Sequence, residues 1–479
     1  MRHKRALCAS ILVVVLIASS LYLLFLFPLT ETCGEKIGSA TITTSNLSST
    51  HFDGVTKFHL VGDKAPNAIL AASDGSVWFG EEDVPGIAHL FSNGTLVEFA
   101  WPITYSPSST DIWGIEMWNG RIWASDSLGN QIVGVDPSTL AVYVVRISET
   151  GAFPYTIAPS PNGNLWFTEL YGSKLGQIDA ACGLTEYAVP TSFGGTPTQI
   201  AFENATSGYY LDVGNASSAA GSLLSFNTTH FSPIQVGSNG GFVLRAPTSL
   251  ALVPGGIWVT QHATSALAYY NMDSDEWTQY PTSTVSYQDV TLPYFVAANG
   301  SLIWFNEHYA NRLAKLDTTR GLLTEYSLSD PPANRIIGID NALTFAVAKD
   351  KVWFTELTAN YVGYVDASYQ PNFTISSPNN PVIKMKPGEN TNLTFTIQGQ
   401  SSQPLTIQFA DTENYTAKPQ KIIMTPNMEE ITSLNGQTNL TVNVKTDETL
   451  NPGNYTLLIT ITNGLISQST YTHLQITTN

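Results

Sequence analysis

Along most of the chain apolar and polar positions alternate in short runs interrupted by Gly, Asn, Asp and Pro. "PYTIAPS" (Pro154–Ser160) leads through Asn162-Gly163-Asn164 into "LWFTE" (Leu165–Glu169), and after a loop a third run precedes "GLTEYAVP" (Gly183–Pro190). Period-two alternation bounded by turn residues predicts antiparallel meanders of four short strands. The unit recurs on Trp78, Trp123, Trp166, Trp258, Trp304 and Trp353, with Tyr209 in the Trp place of a degenerate copy; the spacings are 45, 43, 43, 49, 46 and 49. Repeats of this length indicate propeller blades. An all-β chain with a seven-bladed β-propeller over residues 55–370 is expected, or six blades if the Tyr209 copy is not one. Ten or eleven residues after each Trp stands Ala88, Gly134, Gly176, Ala268, Ala314 or Gly363, small enough to let sheets approach while Trp fills the gap. Gly54–Pro66 has the pattern of a fourth strand yet precedes every Trp strand, so residues 54–61 are expected to close the last blade and remove its free edge.

The pattern changes at both ends. Residues 1–30 place Arg2, Lys4 and Arg5 ahead of an apolar run from Ala6 to Pro28, long enough to span a bilayer. This reads as an uncleaved signal anchor and transmembrane helix, N-terminus cytoplasmic and bulk extracytoplasmic; a cleaved leader is the alternative. Residues 31–54, rich in Ser and Thr, read as a flexible stalk. Beyond Asp366 the period stops, and "NLTFTI", "NLTVNV" and "NYTLLITIT" predict a β-sandwich over 371–479.

Composition narrows the function. Charged residues make up 12% and the net charge is −17, almost all of it within 55–370, which disfavours nucleic acid as a partner. Of three cysteines, Cys8 falls in the anchor, leaving Cys33 and Cys182, which could pair. Asn46, Asn93, Asn204, Asn215, Asn227, Asn299, Asn372, Asn392, Asn414, Asn439 and Asn454 head Asn-x-Ser/Thr triplets, candidate glycosylation sites on a cell-surface glycoprotein. No phosphate-binding loop, nucleophile elbow or zinc-protease helix motif occurs, and His51, His59, His89, His230 and His473 lack metal-ligand spacing.

The repeat "WFTE…N-x-[ILV]-G-x-[IV]-D…TEY", clearest in Leu165–Thr191 and Ile303–Leu328, resembles the streptogramin (virginiamycin B) lyase propellers over about residues 55–366. "LNPGNY" (Leu450–Tyr455) resembles the tyrosine corner of fibronectin-type and immunoglobulin-like sandwiches. The lyase resemblance implies magnesium-assisted elimination with a His base in a Pro-His pair opening a blade. The matching pairs here are Pro66-Asn67, Asp111-Ile112, Pro154-Tyr155, Pro197-Thr198, Pro247-Thr248, Pro293-Tyr294 and Asn341-Ala342, none with His. General-base catalysis of that kind lacks its agent, and no catalytic residue is assigned.

Three residues after each Trp, or Tyr209, stand Glu81, Asp126, Glu169, Asp212, Gln261, Glu307 and Glu356. A group repeated in every blade reads as architecture, each side chain accepting backbone N–H groups; the alternative is a Ca²⁺ or Mg²⁺ site, with Glu307 and Glu356 as ligands. Blade-specific residues are better pointers to a ligand: Tyr155, His262, Tyr294, Glu307 and His308 should share one face. Two functions remain. One is a membrane-anchored surface module binding a protein or glycan outside the cell. The other is an extracytoplasmic metal-dependent lyase or hydrolase.

Overall fold

The computed structural model describes residues 33–82, 84–102, 110–214, 220–238, 241–284, 290–329, 342–377, 382–412 and 420–478. The anchor expected at residues 1–30, and the triplets at Asn215 and Asn414, lie outside them. Among the described residues no helix is long and apolar enough to cross a membrane.

The alternating runs form antiparallel meanders, each folding back through the Gly- or Asn-containing turns that separate them. In the Trp166 meander, Pro154–Pro159, Leu165–Glu169, Lys174–Ile178 and Leu184–Ala188 pair in chain order. The first strands of successive meanders pack on one another in turn: Pro66–Ala71, Ile112–Trp118, Pro154–Pro159, Pro197–Phe202, Pro247–Val253, Pro293–Asn299 and Ala342–Val347, with the last returning to the first. The result is a closed, propeller-like ring. Trp123, Trp166, Trp304 and Trp353 are fully buried, each in its own meander. Gly134 lies across from Trp123 and Ala268 from Val259, whereas in four meanders the small residue of the third strand lies directly across from the Phe that follows Trp, as Gly176 does from Phe167. A methyl there would overlap the Phe167 ring, at 2.0 Å. Its smallness therefore serves the sheet's own aromatic rather than the neighbouring sheet.

Val55–His59 pairs with Tyr361–Asp366, so the start of the ring supplies the outer strand of the Trp353 meander. The segment expected as a stalk is ordered instead. Glu35–Ser39 pairs with Ala141–Arg146, Thr41–Asn46 with Thr95–Ala100, and Ser49–Phe52 with Val55–His59. These three strands belt the perimeter of adjacent meanders. The reason is physical: an outer strand presents unpaired N–H and C=O groups, and Thr-rich sequence pairs with them readily. The belt begins at a Cys33–Cys182 disulfide, which joins it to the outer hairpin of the Trp166 meander.

The C-terminal strands form two sheets. One holds Phe373–Ser376, Asn390–Ser401, Leu434–Thr446 and Ile422–Pro426; the other contains Leu405–Asp411, Gly453–Thr462 and Ile466–Ile476. Ile466–Ile476 also pairs with Leu322–Ser327, so this second sheet continues into the Trp304 meander. The Tyr455 hydroxyl donates to the Asn451 carbonyl at 2.9 Å, fixing the bend at the start of Gly453–Thr462.

Candidate functional site

Strand register decides which side chains meet at the ring's axis. Opposite the residue three past Trp lie Pro66, Ile112, Pro154, Pro197, Pro247, Pro293 and Ala342. The next residue of each first strand is then Asn67, Trp113, Tyr155, Thr198, Thr248, Tyr294 and Leu343. Two of the pairs read from sequence are thereby corrected by one position. Asp111-Ile112 becomes Ile112-Trp113 and Asn341-Ala342 becomes Ala342-Leu343, because Trp123 and Trp353 pair seven residues back, with Glu116 and Ala346, where Trp166 pairs eight back with Ala158: the first hairpin is one residue shorter. The corrected set still contains no His.

Trp113, Tyr155 and Tyr294 come together here. The Trp113 ring lies 5.1 Å from Tyr155 and 6.4 Å from Tyr294, and the two phenol hydroxyls hydrogen-bond to each other. His262 and His308, each just past its ring residue, stack at 4.8 Å with their Nε2 atoms 2.7 Å apart. Tyr294 touches both, at 4.8 Å and 5.5 Å between ring centres. Four of the five side chains expected to share a face therefore do so, and Trp113 joins them. Burial drives both imidazoles down, His262 to about 4 and His308, with His262 adding to the effect, to about 3. Both are neutral at pH 7, so one Nε2 donates to the other, and Nδ1 of His308 is buried without a hydrogen-bond partner. Burial, with Asp111 and Tyr171 adding and the Tyr155 hydroxyl opposing, pushes Tyr294 up to about 12; Tyr155 is also raised, mainly by burial and then by Tyr294. Neither phenol ionises near neutrality. Asp111, which sequence reasoning had placed on the axis, sits beside this cluster with Glu82; burial raises its pKa against the opposing pull of Trp113 and Glu82.

Glu307, the fifth expected member, stands apart. Its carboxylate lies 3.8 Å from Arg312, which is also 3.7 Å from Glu325. The wider ring divides by side-chain length. Asp126 accepts from the Gly129 N–H (2.8 Å) and Gln131 (2.9 Å), Asp212 from the N–H groups of Gly195, Thr196 and Gly214, and Gln261 from the Arg245 N–H. These short or neutral side chains hold their loops as expected. The glutamates, one methylene longer, reach the fourth strand instead. Glu81 meets Glu98, Glu169 meets Glu186 and Glu307 meets Glu325, while Glu356 is paired with Lys57 at 2.6 Å and accepts from Asn311 at 3.0 Å. Burial first, then the neighbouring acid, pushes Glu81, Glu169 and Glu307 each to about 8. The partners come from one register position: Glu98, Glu186, Glu325 and Lys57 each oppose the small third-strand residue. The Glu of "TEY" was the available signal, and its place in the repeat gave it no assigned role.

The expected metal ligands Glu307 and Glu356 are thus engaged separately, by Arg312 and by Lys57 with Asn311. Mg²⁺ favours octahedral oxygen coordination with carboxylates open to it, and these buried, paired groups do not fit that need. Among the described residues no three His, Cys, Asp or Glu side chains are grouped to hold a metal ion. A cleft of about 1180 Å³ lies elsewhere, between the ring and the C-terminal sheets, where Trp277, Tyr280, Lys384, Thr456 and His473 line it. Volume and clustered chemistry therefore fall in different places; the axial cluster, with its packed aromatic and imidazole groups, is the stronger candidate.

Residues 29–219 match the model of the Virginiamycin B lyase family. Virginiamycin B lyase of Nocardia farcinica (strain IFM 10152) is 27% identical over 127 residues, covering 26% of this chain and 43% of that protein, so the match spans less than half of the relative's length. Among solved structures, virginiamycin B lyase from Staphylococcus aureus superposes with a TM-score of 0.51 at 17% identity, covering 68% of this chain and 99% of that one. A streptogramin B lyase gives a TM-score of 0.52 at 20% identity, covering 68% of this chain and 97% of that one. At such identities the structural likeness speaks to the fold. The chain carries a virginiamycin B lyase-like propeller.

Proposed function

We propose that this protein is a recognition module outside the cell: a seven-bladed propeller followed by an immunoglobulin-like sandwich, anchored by residues 1–30, whose axial face binds a protein or glycan. The observation that carries this reading is the internal closure of the axial cluster. Tyr155 is bonded to Tyr294, His262 to His308, and both imidazoles are neutral and packed on Tyr294. Elimination calls for a base free to meet a substrate proton at hydrogen-bond distance. Aromatic rings packed around a polar core are instead the make-up of a recognition patch. Support for the architecture comes from the first strands, which pack in a cycle that returns to its start, and from the Tyr455 bond to Asn451, the geometry of a tyrosine corner. The anchor rests on the apolar run alone.

The test is retention of the purified protein on envelopes from its own cells that have been stripped of the native copy. Trp113→Ala should lose retention when assayed well below its own melting temperature. Equal retention of Trp113→Ala and wild type would overturn the axial face as the binding surface.

A second reading, an extracytoplasmic lyase, is favoured by Nδ1 of His308, buried without a partner. On that reading the neutral imidazole accepts a substrate proton after the His262–His308 pair opens.

A further inference from the structure

The belt that leads from Cys33 into the ring carries almost no apolar anchor. Among residues 34–54 only Ala40 is buried. Its three strands are held by backbone pairing along outer edges, by the Thr43 hydroxyl donating to Glu98 at 3.0 Å, and by an ion pair between Glu35 and Arg146 that is exposed on both sides. An exposed pair of that kind contributes little, and strands with few buried apolar contacts open locally at small cost. The belt is therefore fixed at its two ends, by the chain itself at Val55 and by the Cys33–Cys182 disulfide.

The two sulfurs differ in access. Cys33 is 3% exposed and packs with Trp118, Trp123, Ile132 and Val145. Cys182 is only partly buried, in the turn at 179–183, where Asp179 Oδ1 accepts the N–H groups of Ala181 at 2.9 Å and Gly183 at 2.8 Å. That turn holds its shape without the bridge, so an incoming thiolate meets Cys182 at a fixed, reachable position. Beside Cys33 stands the buried Arg121, whose guanidinium donates to the Cys33 carbonyl at 3.3 Å and whose Nε has no hydrogen-bond partner. A buried cation there favours Cys33 as the departing thiolate.

We propose that the Cys33–Cys182 disulfide is a redox clasp: a dithiol reductant outside the cell opens it, and the belt comes off the outer edges of the Trp78 and Trp123 meanders while the ring stays closed. One thiolate of the dithiol bonds to the Cys182 sulfur, the Cys33–Cys182 bond breaks, and Cys33 leaves with the electron pair. The second thiolate then bonds to the first sulfur, and Cys182 leaves in turn. The dithiol ends as a disulfide, the bridge has gained two electrons, and the two protons of the dithiol pass to the two cysteines. Release bares N–H and C=O groups of Thr95–Ala100 and Ala141–Arg146, edges able to take a strand from a partner. It also turns residues 34–48 into an arm that reaches about 50 Å when extended. Only the extracytoplasmic placement is taken from the reading above; the axial face plays no part.

The experiment is hydrogen exchange read by mass spectrometry on the full-length protein, oxidised and after dithiothreitol, together with Cys33→Ser without reductant. The expected result is exchange about 100-fold faster in peptides of Glu35–Ser39, Thr41–Asn46, Thr95–Ala100 and Ala141–Arg146 on reduction and in the variant, with Leu165–Glu169 and Leu302–Glu307 unchanged. A thioredoxin variant that keeps only its attacking cysteine should be caught on Cys182. Belt peptides that stay slow in the reduced protein would overturn the clasp and leave the bridge a static brace. Exchange that quickens equally through Leu165–Glu169 would overturn it as well, since the ring would then be opening as a whole. Capture on Cys33, or no capture, would overturn the attack at Cys182. The reduced wild type decides the outcome even where Cys33→Ser does not fold.

Discussion

Replacing Glu81 by Gln should stabilise the protein at alkaline pH and leave it nearly unchanged at pH 5. Glu81 is 1% exposed, its carboxylate meets Glu98, and Lys64 lies 3.9 Å away. Lys64 is ion-paired with Glu98, whose pKa is lowered, against its own burial, by that cation and by the Thr43 hydroxyl. One proton therefore sits on Glu81 while the charge stays on Glu98. Burial is the main cause of the shift of Glu81 to about 8 from an ordinary 4.5. The folded pKa is raised, so the stability from this site is fully present below about pH 4.5 and is lost as pH rises through about 8. A tenfold change in proton preference is worth about 1.4 kcal/mol, which sets a ceiling of about 5 kcal/mol. Partial charge screening through Lys64 and local rearrangement bring the expected loss to about 2 kcal/mol, in line with an effective dielectric of about 20. Gln is neutral, matches the protonated acid in shape and can donate to Glu98, so it removes the alkaline loss. Urea unfolding of wild type and Glu81→Gln at intervals from pH 5 to pH 9 reads this directly. Curves that stay parallel across the range, or a variant less stable at pH 9, would refute the shared-proton account.

Three further outcomes follow from other contacts. Lys57→Met should cost about 3–5 kcal/mol by leaving Glu356 buried without its cation, and adding Glu356→Gln should recover most of it in thermal unfolding; this also tests Val55–His59 as the closing strand. Cys33→Ser should lower stability by up to about 5 kcal/mol, because the bridge closes a separation of 149 residues; the same fall in melting temperature should appear in wild type under reductant. Tyr294→Phe should cost about 1–3 kcal/mol by stranding the buried Tyr155 hydroxyl, and Tyr155→Phe in the same chain should restore part of the loss, measured as a double-mutant cycle.

The ring was legible in the sequence because Trp, the small third-strand residue and the ring carboxylate recur at near-constant spacing, each tied to one place in a sheet. The pairing of Val55–His59 was legible for a related reason, since a fourth-strand pattern without its meander has only one free edge to join. The belt was not legible. Thr41–Asn46 has few apolar residues, and its strand character comes from the edge it covers rather than from its own pattern. Four members of the axial cluster could be named from their repeat positions, whereas Trp113 was missed because the hairpin before Trp123 is one residue shorter than the one before Trp166. Glu307 was misplaced because side-chain direction, unlike repeat position, depends on Arg312 and Glu325. The acid pairs escaped notice because their members lie 17 or 18 residues apart and meet only across two strands.

The account's central claim is that a lyase-like propeller here serves recognition, its axial imidazoles and phenols being engaged with one another. The most direct measurement incubates the purified protein with a streptogramin B depsipeptide and Mg²⁺ and follows ring opening by liquid chromatography with mass detection. The account predicts no linear product above that of the buffer control. Product that accumulates with wild type and vanishes in His308→Ala would contradict it and establish the axial cluster as a catalytic site.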